Sequence, residues 1–227
     1  FEQDGAVRQR GSTYVDEAGQ LDNLVDEFGS PYLIQDVVAG QVWSVAGVLT
    51  DDGLLGSAVA RYLRTWPPEG GNVAFAETVE PPPGLADKVT ALLRALGWTG
   101  IFELELIRSG STGEFTSIDL NPRLYGSLAL ASGAGAPLAV VFCDWVLGRA
   151  NGAVTARPGV RYRWEDADLR HAAADLRAGR LGAAANVLRP RRGVVHAHFR
   201  ASDPGPLFAR AAFLMRERLA ARRANAS

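Results

Sequence analysis

"GIFELELIRSGSTGEFTSIDLNPRLYGS", residues 100–127, is the stretch on which the reading of this chain turns. Its opening residues alternate, so Glu103 and Glu105 share one face of an extended strand while Phe102, Leu104 and Leu106 share the other. A polar, glycine-containing turn follows. "FTSIDLN" (115–121) then alternates again, with Asp119 and Asn121 on one side and Ile118 and Leu120 opposite. Folded as a hairpin, the two strands bring Glu105, Asp119 and Asn121 together. Pro122 halts the ladder because it has no N–H to give, and this frees the Arg123 side chain to face the same site.

Two carboxylates and an amide oxygen form a hard-oxygen set of the kind that Mg²⁺ uses together with nucleotide phosphates. A guanidinium beside such phosphates acts as an anion clamp. The same pattern also reads as a solvated sheet face whose acids sit in water, with Arg123 in a surface salt bridge. The residues alone leave both readings open.

The surrounding chain is that of a globular α+β protein. At 227 residues it has room for one large or two small domains with a real core. Hydrophobic residues make up 47% and charged residues 22%, and the net charge of -1 gives no electrostatic reason to expect nucleic acid or an anionic membrane. No apolar run approaches membrane-spanning length. A single cysteine, Cys143, rules out an intrachain disulfide framework, and the expected compartment is the reducing cytoplasm.

Periodicity places a helix over 19–29 and strands over "PYLIQDVVAG" (31–40) and "QVWSVAGVLTDDGLLGSAVARYL" (41–63), with Asp52-Gly53 as a hairpin signal. A loop over 66–72 and a strand ending at the proline run 81–83 come next. An amphipathic helix over 85–97 then stops at Gly97. Two apolar helices, expected to be buried, follow the hairpin, and Cys143 reads as a packing thiol among Val140, Val141, Phe142 and Trp145. From about 150 the texture changes to a linker, a strand over 160–164, a helix near 165–178, a strand over 193–199 and a helix from about 205 to 223. His171 reads as a helix-surface residue. His196 and His198 alternate on one strand face, where they could meet a metal, although no third ligand is evident.

Residues 97–127 resemble the closing catalytic segment of ATP-grasp enzymes, in which a strand acid and an acid-x-Asn-x-Arg strand end hold two Mg²⁺ ions and the phosphates of ATP. The spacing is similar to that of carbamoyl-phosphate-synthase-like and carboxylate–amine ligase members. The resemblance implies that Glu105, Asp119 and Asn121 are the metal ligands, with Mn²⁺ as an alternative ion, and that Arg123 contacts phosphate or an acyl phosphate. Glu103 is the fallback ligand. Asp119 stands where the family more often has glutamate, which shortens the reach to the metal. "YLIQDVVAGQVWSV" resembles the adenine hinge, so Gln35, Asp36, Val37 and Val38 are expected to line the nucleotide, with Val38 offering its backbone N–H. Arg61, rather than Arg64, is the expected phosphate or substrate arginine; three residues apart, the two point to opposite faces of a regular strand.

The resemblance thus implies part of an ATP-grasp fold: the end of the nucleotide-binding lid and the hinge over 1–39, the catalytic antiparallel-sheet subdomain over 40–150, and a small α/β extension over 151–227. "EQDGAVRQRGSTYV" looks like the family's glycine-rich loop and following strand, but the phosphate-reaching lysine that precedes that loop in relatives has no counterpart, since Lys88 is the first and only lysine. The chain is therefore expected to be the C-terminal portion of an ATP- and Mg-dependent carboxylate–amine (or thiol) ligase that works through an acyl phosphate and needs its N-terminal part for turnover. A homodimer is left open. The alternatives are an ATP-grasp kinase or carboxylase with the same site, or a non-catalytic nucleotide-binding or assembly module. The lack of any Ser-His-Asp or Cys-His signature fits a ligase, which requires no protein nucleophile.

Overall fold

The computed structural model of the chain describes residues 2–3, 6–7, 13–15, 17–28, 33–68, 70–189 and 191–224. Residues 1–38 and 39–227 form two separate compact units. In the first, β1 (Glu2–Gln3) pairs antiparallel with β2 (Ala6–Val7), and α1 spans Ala18–Phe28. Gly5 and Gly11 of the expected glycine-rich loop lie outside the described residues.

The strand expected over 31–40 is absent from its described part, for residues 33–39 belong to no ladder. Leu33, Ile34 and Val37 are exposed. An apolar run rich in β-branched residues becomes a strand only where an edge is there to accept its hydrogen bonds. The ladder starts at Gln41.

The second unit is built on an eight-stranded sheet. β3 (Gln41–Thr50) and β4 (Gly53–Trp66) form the expected hairpin. The turn residues are Asp51 and Asp52, and Gly53, at φ 128°, is already paired with Thr50. β5 (Asn72–Thr78) lies beside β4, while β6 (Gly100–Arg108) pairs with the other edge of β3 and carries β7 (Phe115–Asn121) on its own outer side. Between β5 and β6, α2 (Leu85–Ala95) crosses the sheet. It buries Leu85, Val89 and Leu93, one residue per turn, against Trp43, Val45, Leu49, Val59, Phe102, Leu104 and Leu106.

The other face of the sheet is lined with small residues, among them Ala46, Ala58 and Ala60. They let α3 (Leu128–Gly133) and α4 (Leu138–Val146) lie close to the strands. At Gly56 an added Cβ would come within 2.8 Å of Leu138 Cδ2, so any larger residue there would have to displace that side chain of α4. α4 turns Leu138, Val141, Phe142 and Trp145 inward at helical spacing and leaves Val140, Val146 and Cys143 outward. Cys143 is thus exposed, not the buried packing thiol expected.

Residues from 151 onward add strands to this same sheet. β8 (Val154–Thr155) pairs parallel with β4, β9 (Arg161–Arg163) extends the sheet beyond β5, and β10 (Val194–His196) pairs parallel with β9. The expected linker is stitched down: Thr78 Oγ1 donates to Arg157 O at 2.7 Å and accepts from Val160 N at 3.0 Å. α5 (Glu165–Arg177), the unexpected α6 (Leu181–Leu188) and α7 (Gly205–Ala224) complete the unit. His171 sits on α5 facing the sheet rather than solvent, its Nδ1 2.8 Å from Thr65 O. No described helix is long and apolar enough to cross a membrane.

α5 is pinned by charge as well as by packing. Asp168, 1% exposed, accepts from Arg64 Nε on Oδ1 at 2.6 Å and from Arg64 Nη2 on Oδ2 at 2.9 Å, and Arg163 Nε also lies 2.9 Å from Oδ2. Asp168→Ala would leave two partly buried guanidinium groups without their carboxylate, and removing one partner of such a buried network costs about 3–5 kcal/mol. Urea denaturation at neutral pH should show that loss, whereas a change below about 1 kcal/mol would mean the network behaves as a surface ion pair.

Candidate phosphate and metal site on the alanine face

The β6–β7 hairpin sets Glu105 directly opposite Asp119 and Glu103 opposite Asn121. Directly opposed Cβ atoms lie about 5 Å apart, close enough for both pairs to interact. The register shifts between Glu105 and Leu106, where Ile118 is the extra, unpaired residue of β7. That bulge keeps Asp119 and Asn121 on the same face as the two glutamates. Asn121 Nδ2 donates to Asp119 Oδ2 at 3.1 Å, an arrangement that leaves the amide oxygen free to accept or to ligate.

This is the face of Ser44, Ala60 and Tyr62, since Glu105 is in register with Ser44 and Ser44 with Ala60. From β4, the Tyr62 hydroxyl donates to Glu105 Oε1 at 2.7 Å and lies 3.3 Å from Glu103 Oε1. Ser127, just before α3, donates its hydroxyl to Glu103 Oε1 at 3.1 Å. Tyr125 is buried under the same wall. Sequence reading missed Tyr62 and Ser127. The signal was there in part: Tyr62 continues the Ala58–Ala60 alternation as the one large polar residue on a face of small ones.

The acids form a gradient from the core outward. Glu103 is buried, Glu105 is half-buried and Asp119 is exposed. Among the described residues no arginine, lysine or histidine forms an ion pair with any of the three. Burial, and then the charge of Glu105, raises the Glu103 carboxyl to about 7, against the pull of the Ser127 and Tyr62 hydrogen bonds. Glu105 is raised as well, by burial, with the Tyr62 hydroxyl opposing and the Asp119 charge adding. Tyr62 itself is pushed well up by burial and by the two glutamates, so it stays a hydroxyl donor.

Glu105, Asp119 and Asn121 supply only oxygen donors and surplus negative charge, a set that fits a hard divalent cation. It is a partial set: among the described residues no group of three or more His, Cys, Asp and Glu side chains could by itself hold a metal ion. Arg123 follows directly, exposed, with Nη1 donating to Leu124 O at 3.1 Å. Gln35, Asp36 and Val37 are exposed and Val38 is half-buried, all in the first compact unit.

Arg61 is not brought to these acids. It is in register with Trp43, on the α2 face of the sheet, and its guanidinium grips Glu77 of β5, with Nε to Oε1 at 2.8 Å. Burial favours the neutral form of Glu77, but Arg61 and Arg161 outweigh it and hold the carboxyl below its ordinary value. The two tail histidines also find acids rather than a shared metal. His196 Nδ1 is 3.0 Å from Glu165 Oε1, and His198 Nε2 is 3.7 Å from Asp166 Oδ1, whose other oxygen accepts from Arg210.

The Glu103 shift has a sign that solution measurements can check. The folded state holds this proton up to about pH 7, the unfolded chain only to about 4.3. The stability that Glu103 contributes is full below the lower value and drains as pH rises through the upper one. Without divalent cations, the protein should lose up to about 4 kcal/mol from this group between pH 4 and 8. Glu103→Gln should flatten the profile, with most of the gain at pH 8. Parallel urea-derived profiles for both proteins would reject the assignment.

No family model matches the chain, and no curated protein matches it. Solved structures do. N5-carboxyaminoimidazole ribonucleotide synthetase from Thermus thermophilus is 19% identical and covers 64% of this chain and 41% of its own, with a TM-score of 0.46. The phosphoribosylaminoimidazole carboxylase ATPase subunit from Aquifex aeolicus is 16% identical, over 56% of this chain and 38% of its own, with a TM-score of 0.43. L-amino acid ligase from Bacillus licheniformis is 13% identical, over 57% and 35%, with a TM-score of 0.43. This chain therefore spans 35–41% of the length of these three proteins. The three are ATP-grasp enzymes.

Proposed function

We propose that this chain carries the metal and phosphate end of an ATP-dependent carboxylate–amine (or thiol) ligase of the ATP-grasp type. The observation that supports it is the hairpin register, which sets Glu105 against Asp119 and adds Asn121 two residues on, with no ion-pair partner for the acids among the described residues. In the ligase reaction, ATP phosphorylates a carboxylate to an acyl phosphate, and an amine or thiol then displaces phosphate. A divalent cation held by this chain's acids would supply charge neutralisation on the transferring phosphoryl group.

Glu105, Asp119 and Asn121 would hold that ion through their oxygens. Tyr62 holds Glu105 in one orientation, because its hydroxyl occupies one carboxylate oxygen and leaves the other for the metal. Ser127 and Tyr62 together keep Glu103 fixed behind it. Arg123 is free of any carboxylate among the described residues and lies immediately beyond the strand end, placed to meet phosphate oxygens with its two-pronged fork. Gln35–Val38 are assigned to the adenine. Positioning and electrostatics, with no protein nucleophile, then supply the catalysis.

The test is ADP release by the protein with Mg·ATP across a panel of carboxylate and amine pairs, with hydroxylamine added to trap the acyl phosphate as a hydroxamate. Asp119→Asn should reduce release at least 100-fold, equivalent to about 2.7 kcal/mol or more. Undiminished release would sink the metal assignment. Release without hydroxamate would point to a kinase acting from the same site.

A further inference from the structure

The sheet carries a second concentration of charge, of opposite sign, near the end where β9 lies. Four arginines of β4 and β9 share two carboxylates, one on β5 and one on α5: Arg61 and Arg161 hold Glu77, and Arg64 and Arg163 hold Asp168. "VLRPRRG" (187–193), which begins in the last turn of α6, carries three more arginines and no acid, and two of them, Arg189 and Arg191, line a depression beside α6. Arg189 is exposed and forms no ion pair among the described residues. Among the described residues the neutral Asn186 side-chain oxygen is the one hydrogen-bond partner of Arg191, whose buried Nε has none.

Arg64, Arg163 and Arg191 all stack round the single ring of Phe75, their guanidinium carbons 4.3, 5.5 and 5.6 Å from its centre. Like charges gather here at an energetic cost. Loss of solvent, and then the charges of Arg161, Arg64, Arg163 and Arg189, lower the pKa of Arg191. Beside them α6 presents Gly182 and Ala185, whose lack of bulk leaves an open depression of about 770 Å³ lined by those two residues with Asn186, Arg189 and Arg191.

We infer that this depression is a binding site for a small, multiply charged anion of the phosphate or pyrophosphate class, held by Arg189 and Arg191 with Asn186. The two guanidinium groups without carboxylate partners offer paired N–H donors, the geometry that phosphate oxygens fill. The site is separate from the acidic face, because Arg61, Glu77 and Arg161 sit at cross-strand positions on the opposite side of the sheet from Glu105 and Ser44. Its occupant would tie α6 and the strand β10 that follows the arginine loop to β9, and so would act on the sheet without touching the proposed nucleotide site.

Titration calorimetry of the protein with inorganic phosphate and with pyrophosphate, at ionic strength matched with NaCl, tests this. Arg189→Gln with Arg191→Gln should weaken pyrophosphate binding at least tenfold, and Arg189→Gln alone at least threefold. Because the Arg189 side chain is exposed, the single variant keeps the fold and reports even if the double variant does not. Arg123→Ala should retain the component of anion binding that Arg189→Gln removes, which separates this site from the nucleotide phosphates. Equal binding by Arg189→Gln and the parent protein, or loss only in Arg123→Ala, would overturn the inference. So would binding of a single-stranded RNA oligonucleotide through Arg189 and Arg191 when pyrophosphate does not bind.

Discussion

If β6 slipped by one residue against its neighbours, Glu103 and Glu105 would enter the core that α2 covers, and Phe102, Leu104 and Leu106 would face the Tyr62 hydroxyl. Side chains alternate with a period of two, so there is no intermediate arrangement. The register is therefore the constraint on which the candidate site depends. It is enforced from one side by the apolar contacts of α2 with Phe102, Leu104 and Leu106. On the other, the pairing of β3 with both β4 and β6 places Tyr62 and Glu105 over the same strip of sheet. The hydrophobic core thus specifies where the carboxylates point, although none of its atoms belongs to the site.

Among the described residues, the acids that result have no compensating cation. Hydroxyl donors from Tyr62 and Ser127 satisfy hydrogen bonding but bring no positive charge. That is why burial and mutual repulsion win at Glu103, whose carboxyl keeps its proton to about pH 7. A divalent cation close to Glu105 and Asp119 would reverse the balance, lowering the cost of ionising all three acids at once. Electrostatics and donor chemistry point the same way here, and this makes the metal reading stronger than the spacing of Glu105, Asp119 and Asn121 alone.

The two central hairpins and α2 were legible in the sequence because their signals are local: alternation over 41–63 and 100–121, and one apolar residue per turn over 85–93. So were Glu105, Asp119 and Asn121 as neighbours. What escaped depends on distant partners. Asp168 is buried only because Arg64, 104 residues away, and Arg163 meet it. α6, "LGAAANVL", is too small and too uniformly apolar to show an amphipathic period. β8 is two residues that become a strand only against β4. Cys143 is different, for the spacing of Leu138, Val141, Phe142 and Trp145 already assigned it to the outward side of α4.

Arg61 shows how a correct strand can still give a wrong expectation about a side chain. Strand and hairpin were right, and Arg61 and Tyr62 are adjacent, so one of them had to face the acids. Parity alone cannot say which, because it depends on which residue of β3 each one opposes. Trp43 takes Arg61, and Ser44 takes Ala60. The residue delivered to Glu105 is therefore a phenol, not a guanidinium. A guanidinium there would neutralise the acids permanently and compete with any metal for their oxygens. A hydroxyl orients a carboxylate without cancelling its charge, which leaves that charge available to a cation from outside.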